Sequence, residues 1–150
     1  MAEPSLPTPA AAVPDRGVVQ LRVRYCECDP MRVAHHAAYV PWLEMGRTEI
    51  LRGTGVTYAD MEAHGYFLVV VRFELRYRRP VRYDDLVEVR TRVSGGGRVK
   101  IEHEYEVVVV EREGAAPPEG PIDAAAGTST LACVDRQGKP RELPGWLARS

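Results

Sequence analysis

From Val18 the chain alternates: Val19, Leu21, Val23 and Tyr25 stand between Val18, Gln20, Arg22 and Arg24, the two-residue period of a strand. Ala37 to Arg52 changes period. Tyr39, Leu43, Gly46 and Ile50 fall at helical spacing among good helix formers, with Pro41 tolerable only in the first turn and Gly53 and Gly55 to stop the helix. Thr57 begins a shorter helical pattern through Met61 to His64, closed by Gly65. Three long alternating runs follow. Val71, Phe73, Leu75 and Tyr77 lead the first, and Val87, Val89, Thr91 and Val93 the second. Val99, Ile101, His103, Tyr105, Val107 and Val109 lead the third, so each predicts a strand with one buried face. Gly95, Gly96 and Gly97 join the last two as a hairpin, residues 113–121 read as a flexible loop, and Ala124 to Val134 supplies a fifth strand.

The order is therefore strand, helix, four strands. Because those four strands run on without intervening helices, the class is α+β with a mostly antiparallel sheet and one long helix to cover a face. Residues 1–17 hold four prolines and an alanine run without hydrophobic period, which predicts a disordered or loosely ordered tail before a single domain at 18–150.

Composition narrows the function classes. A chain of 150 residues with 45% hydrophobic and 27% charged residues can build a core without metal or disulfide staples. The net charge of −1 lacks the basic excess expected of a nucleic-acid binder. The longest apolar stretch, Tyr66 to Val71, falls far short of the roughly 20 residues of a membrane span. Three cysteines, Cys26, Cys28 and Cys133, make an odd set without a second close pair for zinc, and with no secretory signal they predict reduced thiols in the cytoplasm.

One segment concentrates polar chemistry. Glu27, Asp29, Arg32, His35, His36, Tyr39 and Glu44 crowd the junction between the first strand and the long helix. The first N–H groups of a helix lack internal partners and face whatever anion or carbonyl oxygen lies there. A carboxylate beside them could attack an acyl carbon or direct water at it. Asp29 could equally just cap or tighten the turn, and composition and spacing leave these readings even. Adjacent His35 and His36 on a helix would point about 100° apart, so no metal site is expected. His103 lies on the apolar phase of its strand and reads as a buried, hydrogen-bonded histidine, and His64 as a helix terminator. Arg72, Arg76, Arg78, Arg79 and Arg82 share their region with Glu74, Asp84 and Asp85 and read as a solvated or subunit-facing surface ahead of a phosphate site.

At this junction a resemblance is specific. Tyr25-Cys26-Glu27-Cys28-Asp29-Pro30, His36-Ala37-Ala38-Tyr39, Glu44 and Arg47-Thr48-Glu49 resemble the signature of hot-dog-fold acyl-CoA thioesterases, the 4-hydroxybenzoyl-CoA thioesterase group and its tol-pal-associated bacterial relatives. The likeness runs through Tyr77-Arg78-Arg79-Pro80-Val81 and Asp84-Asp85 to Cys133-Val134-Asp135 and Lys139-Pro140-Arg141, covering roughly residues 18 to 147.

The resemblance implies a five-stranded antiparallel sheet wrapped around one long helix, in homodimers or homotetramers whose sites lie at subunit boundaries. It implies an acyl-CoA substrate and no cofactor. Asp29 becomes the nucleophile or the base for water, and the backbone N–H of His36 polarises the thioester carbonyl. Tyr39, Glu44 and Arg32 are supporting candidates, and Arg98 and Lys100 fall where some relatives meet CoA phosphates. This chain departs at Asp29-Pro30-Met31-Arg32-Val33, where the family usually has Asp-x-x-Gly-Val. If that position takes positive φ, arginine costs about 1 kcal/mol or more there. A loop on another path would favour a non-catalytic acyl-CoA or acyl-carrier-protein binder; a hot-dog hydratase or dehydratase is the rival within the fold.

Overall fold

The computed structural model describes residues 5–149. Its five strands are β1 (Arg16–Arg22), β2 (Phe67–Tyr77), β3 (Leu86–Gly96), β4 (Lys100–Glu111) and β5 (Ile122–Val134). They form one sheet in the order β1-β3-β4-β5-β2, each neighbouring pair antiparallel. The expected long helix is α1 (Tyr39–Arg52), and the shorter one is α2 (Tyr58–Ala63).

Helix α1 starts two residues after the predicted Ala37 because a 3-10 turn, His36–Ala38, leads into it. Pro41 then occupies the third helical position, where a missing N–H leaves no carbonyl unserved. All four residues at the predicted spacing, Tyr39, Leu43, Gly46 and Ile50, are buried, together with Trp42, Arg47 and Leu51. Gly46 allows a close approach: a Cβ there would lie 3.0 Å from Val89 Cγ1 and collide with the Thr91 hydroxyl of β3. Helix α2 opens on a capping box. The Thr57 hydroxyl accepts from the Asp60 N–H at 3.2 Å, and Asp60 Oδ2 accepts from the Thr57 N–H at 2.7 Å.

The core has two parts, one at each end of α1. Tyr39, Trp42 and Leu43 pack on Val87, Val89, Tyr105, Val107 and Val109 near the helix start. Ile50 and Leu51 pack with Met61, Ile101, Leu131 and Leu143 near its end. The alternation of β4 holds from Ile101 to Val107; Val108, on the polar phase, is buried as well, where the pairing with β5 shifts register. That of β2 does not: Val71 and Tyr77, predicted to face inward, are about half exposed, and Phe73 and Leu75 are only partly covered. β2 is an outer strand with one neighbour, its register slips between Val70 and Arg72, and Val69, Val70 and Val71 all reach the surface.

The proline-rich start forms no helix or strand over residues 5–15, and residues 1–4 lie outside the described part. The described portion is tied to the domain nonetheless. Val13 is buried beside Ile50, the Ala10 N–H donates to the Thr54 carbonyl at 3.1 Å, and Arg149 bridges to Asp15 at 3.2 Å. β1 begins at Arg16, ahead of the expected Val18.

Two buried ionisable groups bear on stability. Asp85, 1% exposed, accepts from Arg112 Nε at 3.0 Å and Nη2 at 2.8 Å and from the Arg82 N–H at 2.8 Å. Asp85→Ala leaves the Arg112 guanidinium without its acceptor and is expected to cost about 3–5 kcal/mol. Urea unfolding measures it, and a loss below about 1 kcal/mol would contradict the bracing role given to the pair.

His103 is buried, its ring stacks against Tyr105, and its Nδ1 has no partner among the described residues, unlike the satisfied histidine expected. Burial, with Arg47 and Arg149 adding to it, lowers its pKa from 6.5 to about 4. The unfolded chain therefore binds a proton near pH 6.5 that the folded chain refuses until about pH 4. Stability from this group is complete above pH 6.5 and declines as pH falls toward 4, by up to about 3 kcal/mol. Denaturant titrations across pH 7 to 4 should show a shallower decline for His103→Phe than for the parent; parallel curves would assign the acid sensitivity elsewhere.

Candidate active site

After β1 the chain makes a 3-10 turn, Tyr25–Glu27, and the Glu27 side chain folds back on it. Its carboxylate accepts from the Arg24 N–H at 2.9 Å, from Arg24 Nε at 3.0 Å and from the Trp42 indole N–H. Burial alone would raise the Glu27 pKa, but these donors outweigh it and hold the carboxyl below its ordinary range. Glu27 thereby ties the loop to the first turn of α1. This is an anchoring task, and the sequence offered no periodic signal for it.

Cys28 then opens a tight hairpin, paired across to Ala34. The Asp29 N–H donates to the Val33 carbonyl at 2.9 Å, and the Arg32 N–H donates to the Asp29 carbonyl at 2.8 Å, closing a four-residue turn. Asp and Pro are the residues that favour its first two positions. Asp29 Oδ1 accepts from the Met31 N–H at 2.8 Å, so the turn reading of this aspartate is correct as far as it goes. That bond uses one oxygen and fixes the side chain. No side chain among the described residues pairs with the other oxygen, and Asp29 is half-buried at the wall of a cleft.

Arg32 takes φ of 63°, the left-handed conformation that glycine adopts more cheaply. The substitution thus leaves the hairpin on its path and adds a guanidinium to the cleft. The cleft, about 570 Å³, is lined by Tyr25, Cys28, Asp29, Pro30, Arg32 and Tyr83. Tyr25 and Tyr83 meet edge to face at 5.7 Å. Tyr25 carried a signal only as the end of the first strand's alternation and the start of the motif, and Tyr83 carried none, since loop aromatics have no pattern of their own.

The hairpin is docked rather than free. The Ala34 N–H donates to the Val81 carbonyl at 2.7 Å, the Tyr83 N–H to the Arg32 carbonyl at 3.1 Å, and the His35 N–H to the Glu27 carbonyl at 2.8 Å. Val33 bridges to Arg82. His35 caps the turn before α1, its Nδ1 accepting from the Ala37 N–H at 3.1 Å. His36 is the first residue of that turn, and its own N–H finds no acceptor among the described residues. Its carbonyl, in the next peptide unit, accepts from the Tyr77 hydroxyl at 2.6 Å, which ties this turn to β2. Tyr77 also meets Tyr39 edge to face at 5.0 Å.

The other expected residues divide. Tyr39 is buried under the junction, its hydroxyl pushed up to about 12 chiefly by burial, so it packs and stays protonated. Glu44 is exposed on α1, 3.6 Å from Arg47, and does not line the cleft. Arg98 and Lys100 lie elsewhere in the same chain. The Arg98 carbonyl accepts from the Leu143 N–H, Leu143 packs at the far end of α1, and the Arg98 guanidinium is engaged by Glu142. The 14 residues of α1 span about 20 Å. Asp29 and the pair Arg98 and Lys100 therefore do not meet within one subunit.

A carboxylate with one open oxygen, on a hairpin that runs on into a helix start with an open N–H, supplies the kinds of group that acyl transfer to water uses, although His36 itself does not line the Asp29 cleft. Similar proteins agree in kind. The family model of the thioesterase-like superfamily matches residues 23–150. A putative acyl-CoA thioesterase of Bacillus subtilis (strain 168), YneP, is 31% identical over 132 residues, covering 85% of this chain and 89% of that protein. A probable thioesterase from Bartonella henselae superposes with a TM-score of 0.75 at 28% identity, covering 86% of this chain and 99% of the other. A DHNA-CoA thioesterase from Staphylococcus aureus gives 0.74 at 28% identity, covering 85% and 80%. The matched span takes in the Asp29 hairpin, α1 and β2 to β5 together, and the chain belongs to the thioesterase-like superfamily, with its hot-dog fold.

Proposed function

We propose that this chain is an acyl-CoA thioesterase in which Asp29 is the reactive carboxylate and the His36 N–H receives the carbonyl oxygen. The observation that carries the reading is the Asp29 side chain itself, fixed through Oδ1 by its own turn while the second oxygen is left for the cleft. The names of YneP and of the S. aureus enzyme support the substrate class.

In the reaction, the thioester carbonyl oxygen lies toward the His36 N–H and gains charge as its carbon is attacked. Asp29 either takes a proton from the attacking water or attacks first itself. In the second case it forms an acyl-aspartate anhydride that water then opens. In both cases the C–S bond breaks, the acyl group leaves as the acid, and the CoA thiolate takes up a proton. Arg32 and the tyrosine pair Tyr25 and Tyr83 supply the cleft wall, and Tyr77 ties the turn at His36 to β2. Because the hairpin keeps its path with arginine in the left-handed position, the departure at Arg32 does not favour a non-catalytic binder. Such a protein belongs in the cytoplasm, where Cys26, Cys28 and Cys133, none of them bridged, remain reduced.

We further propose a homodimer or homotetramer built through β2. An antiparallel outer strand can pair with its own copy about a twofold axis, which would cover Val69, Val70 and Val71 and close over the half-open phase of β2 beside Tyr77. Sedimentation at micromolar concentration should give at least a dimer, and Val70→Glu should shift it toward monomer with loss of turnover. A fully active monomer would defeat this assembly.

Asp29→Asn keeps the shape and the Met31 hydrogen bond while removing nucleophile and base, so kcat for thiol release from acyl-CoA should fall by about 10²–10⁴-fold with the melting temperature little changed. His36→Ala should cost far less, since its backbone carries the role. If the carboxylate merely tightens the turn, Asp29→Asn will retain near-normal kcat, and the mechanism is then wrong. Hydration of an enoyl-CoA without thiol release would select the hydratase reading instead.

A further inference from the structure

We infer that the phosphate groups of the CoA-type carrier are held by Arg79 and Arg82 in a second cleft back to back with the Asp29 cleft. This rests on the acyl-CoA reading above and assigns the carrier end of that substrate. The arginines of this region are not equivalent. Arg72 and Arg76 lean on Glu74 at 3.6 and 3.8 Å, Arg78 pairs with Asp123, and Arg112 is spent on buried Asp85. Arg79 and Arg82 have no carboxylate partner among the described residues, and both are exposed. An unpaired guanidinium is the fork that binds phosphate oxygens two at a time.

Both line one cleft of about 630 Å³. Its walls include Pro117 and Pro118, whose fixed φ and lack of N–H give a stiff apolar surface for a base or a pantetheine chain, and Glu119 is its one acidic residue. Arg112 closes the floor, held there by Asp85 and by the Pro80 carbonyl at 3.2 Å. Connection to the reacting centre is direct. Arg82 is bridged to Val33 of the hairpin, and the next residue, Tyr83, both lines the Asp29 cleft and donates to the Arg32 carbonyl. A thioester lying against Asp29 could therefore pass its carrier arm over the Arg82-Tyr83 segment onto two free cations. Arg98, by contrast, is engaged by Glu142 at the far end of α1.

The test pairs Arg79→Ala/Arg82→Ala with Arg98→Ala/Lys100→Ala and assays acyl-CoA, acyl-phosphopantetheine and acyl-pantetheine. The first double variant should raise KM for acyl-CoA by about tenfold or more while acyl-pantetheine, which has no phosphate, stays within about twofold of the parent. A rise that persists with acyl-phosphopantetheine assigns the arm's own phosphate, as a carrier protein would present it; a rise limited to acyl-CoA assigns the nucleotide. Calorimetric binding of 3',5'-ADP and CoA should weaken in parallel. Unchanged KM, equal loss on all three substrates, or a phosphate-specific loss only in the Arg98 and Lys100 variant would overturn the inference. If the parent protein releases no thiol from any substrate, the thioesterase reading fails separately, and the calorimetry alone decides: about tenfold weaker CoA binding by Arg79→Ala/Arg82→Ala upholds the site, and equal binding removes it.

Discussion

A single buried carboxylate holds together the parts on which the site is built. Asp85 receives both the guanidinium of Arg112, from the end of β4, and the N–H of Arg82, while its carbonyl accepts from the Val23 N–H just beyond β1 at 3.0 Å. Arg112 in turn reaches the Pro80 carbonyl. Three chain segments distant in sequence are thus fixed at one point, and the segment 79–83 becomes a firm rail. The Asp29 hairpin is laid on that rail through Val81, Arg82 and Tyr83, so the position of the Asp29 carboxylate follows from an ion pair it does not touch. The pair is a costly thing to bury, and it is tolerable because each oxygen of Asp85 has a donor.

The other support comes from the helix. Gly46 lets α1 lie close on β3, which sets the height of the helix start above the sheet, and the Glu27 carboxylate then fastens the loop to Trp42. Placement of the His36 N–H relative to Asp29 is therefore the joint result of a packing distance and a hydrogen bond. The two core clusters separate the tasks. The one at the start of α1 underlies the Asp29 hairpin and the helix start, while the one at its end is closed by Val13, Leu143 and Leu147 and carries no residue of the cleft.

What the sequence disclosed, and what it hid, follows the range of the forces involved. Alternation over β3 and β4 revealed inward faces because both strands are flanked on either side, and helical spacing named Tyr39, Leu43, Gly46 and Ile50. The same rule overstated the burial of β2, since period-2 patterning reports which face is apolar and not whether one subunit suffices to cover it. Asp29 was legible as chemistry beside a helix start, and as a turn former, and it serves as the second whatever else it does. Arg98 and Lys100 stand out by their position along the chain in the family resemblance, a criterion that cannot register Glu142 more than forty residues later. Nor could it separate Arg79 and Arg82 from their paired neighbours, because pairing is decided by which carboxylates the fold brings within reach.

Arg32 lies where the hairpin meets the segment 79–83. Its left-handed backbone belongs to a turn that glycine would form at lower cost, by about 1 kcal/mol, and strain of that kind persists only where the surroundings over-determine it. Here they do: the Arg32 N–H and carbonyl are both committed, to Asp29 and to Tyr83, so the backbone holds its path whatever the side chain. What arginine adds over glycine is a cation on the wall of the Asp29 cleft, one residue before Val33 and thus beside the bridge to Arg82. The hairpin thereby carries positive charge toward the same segment that presents Arg79 and Arg82 on its other side. Arg32 is thus linked to Arg82 through the backbone, by way of the Val33 bridge. Asp29, with one oxygen free of its turn, is the carboxylate on the same cleft wall as the Arg32 cation.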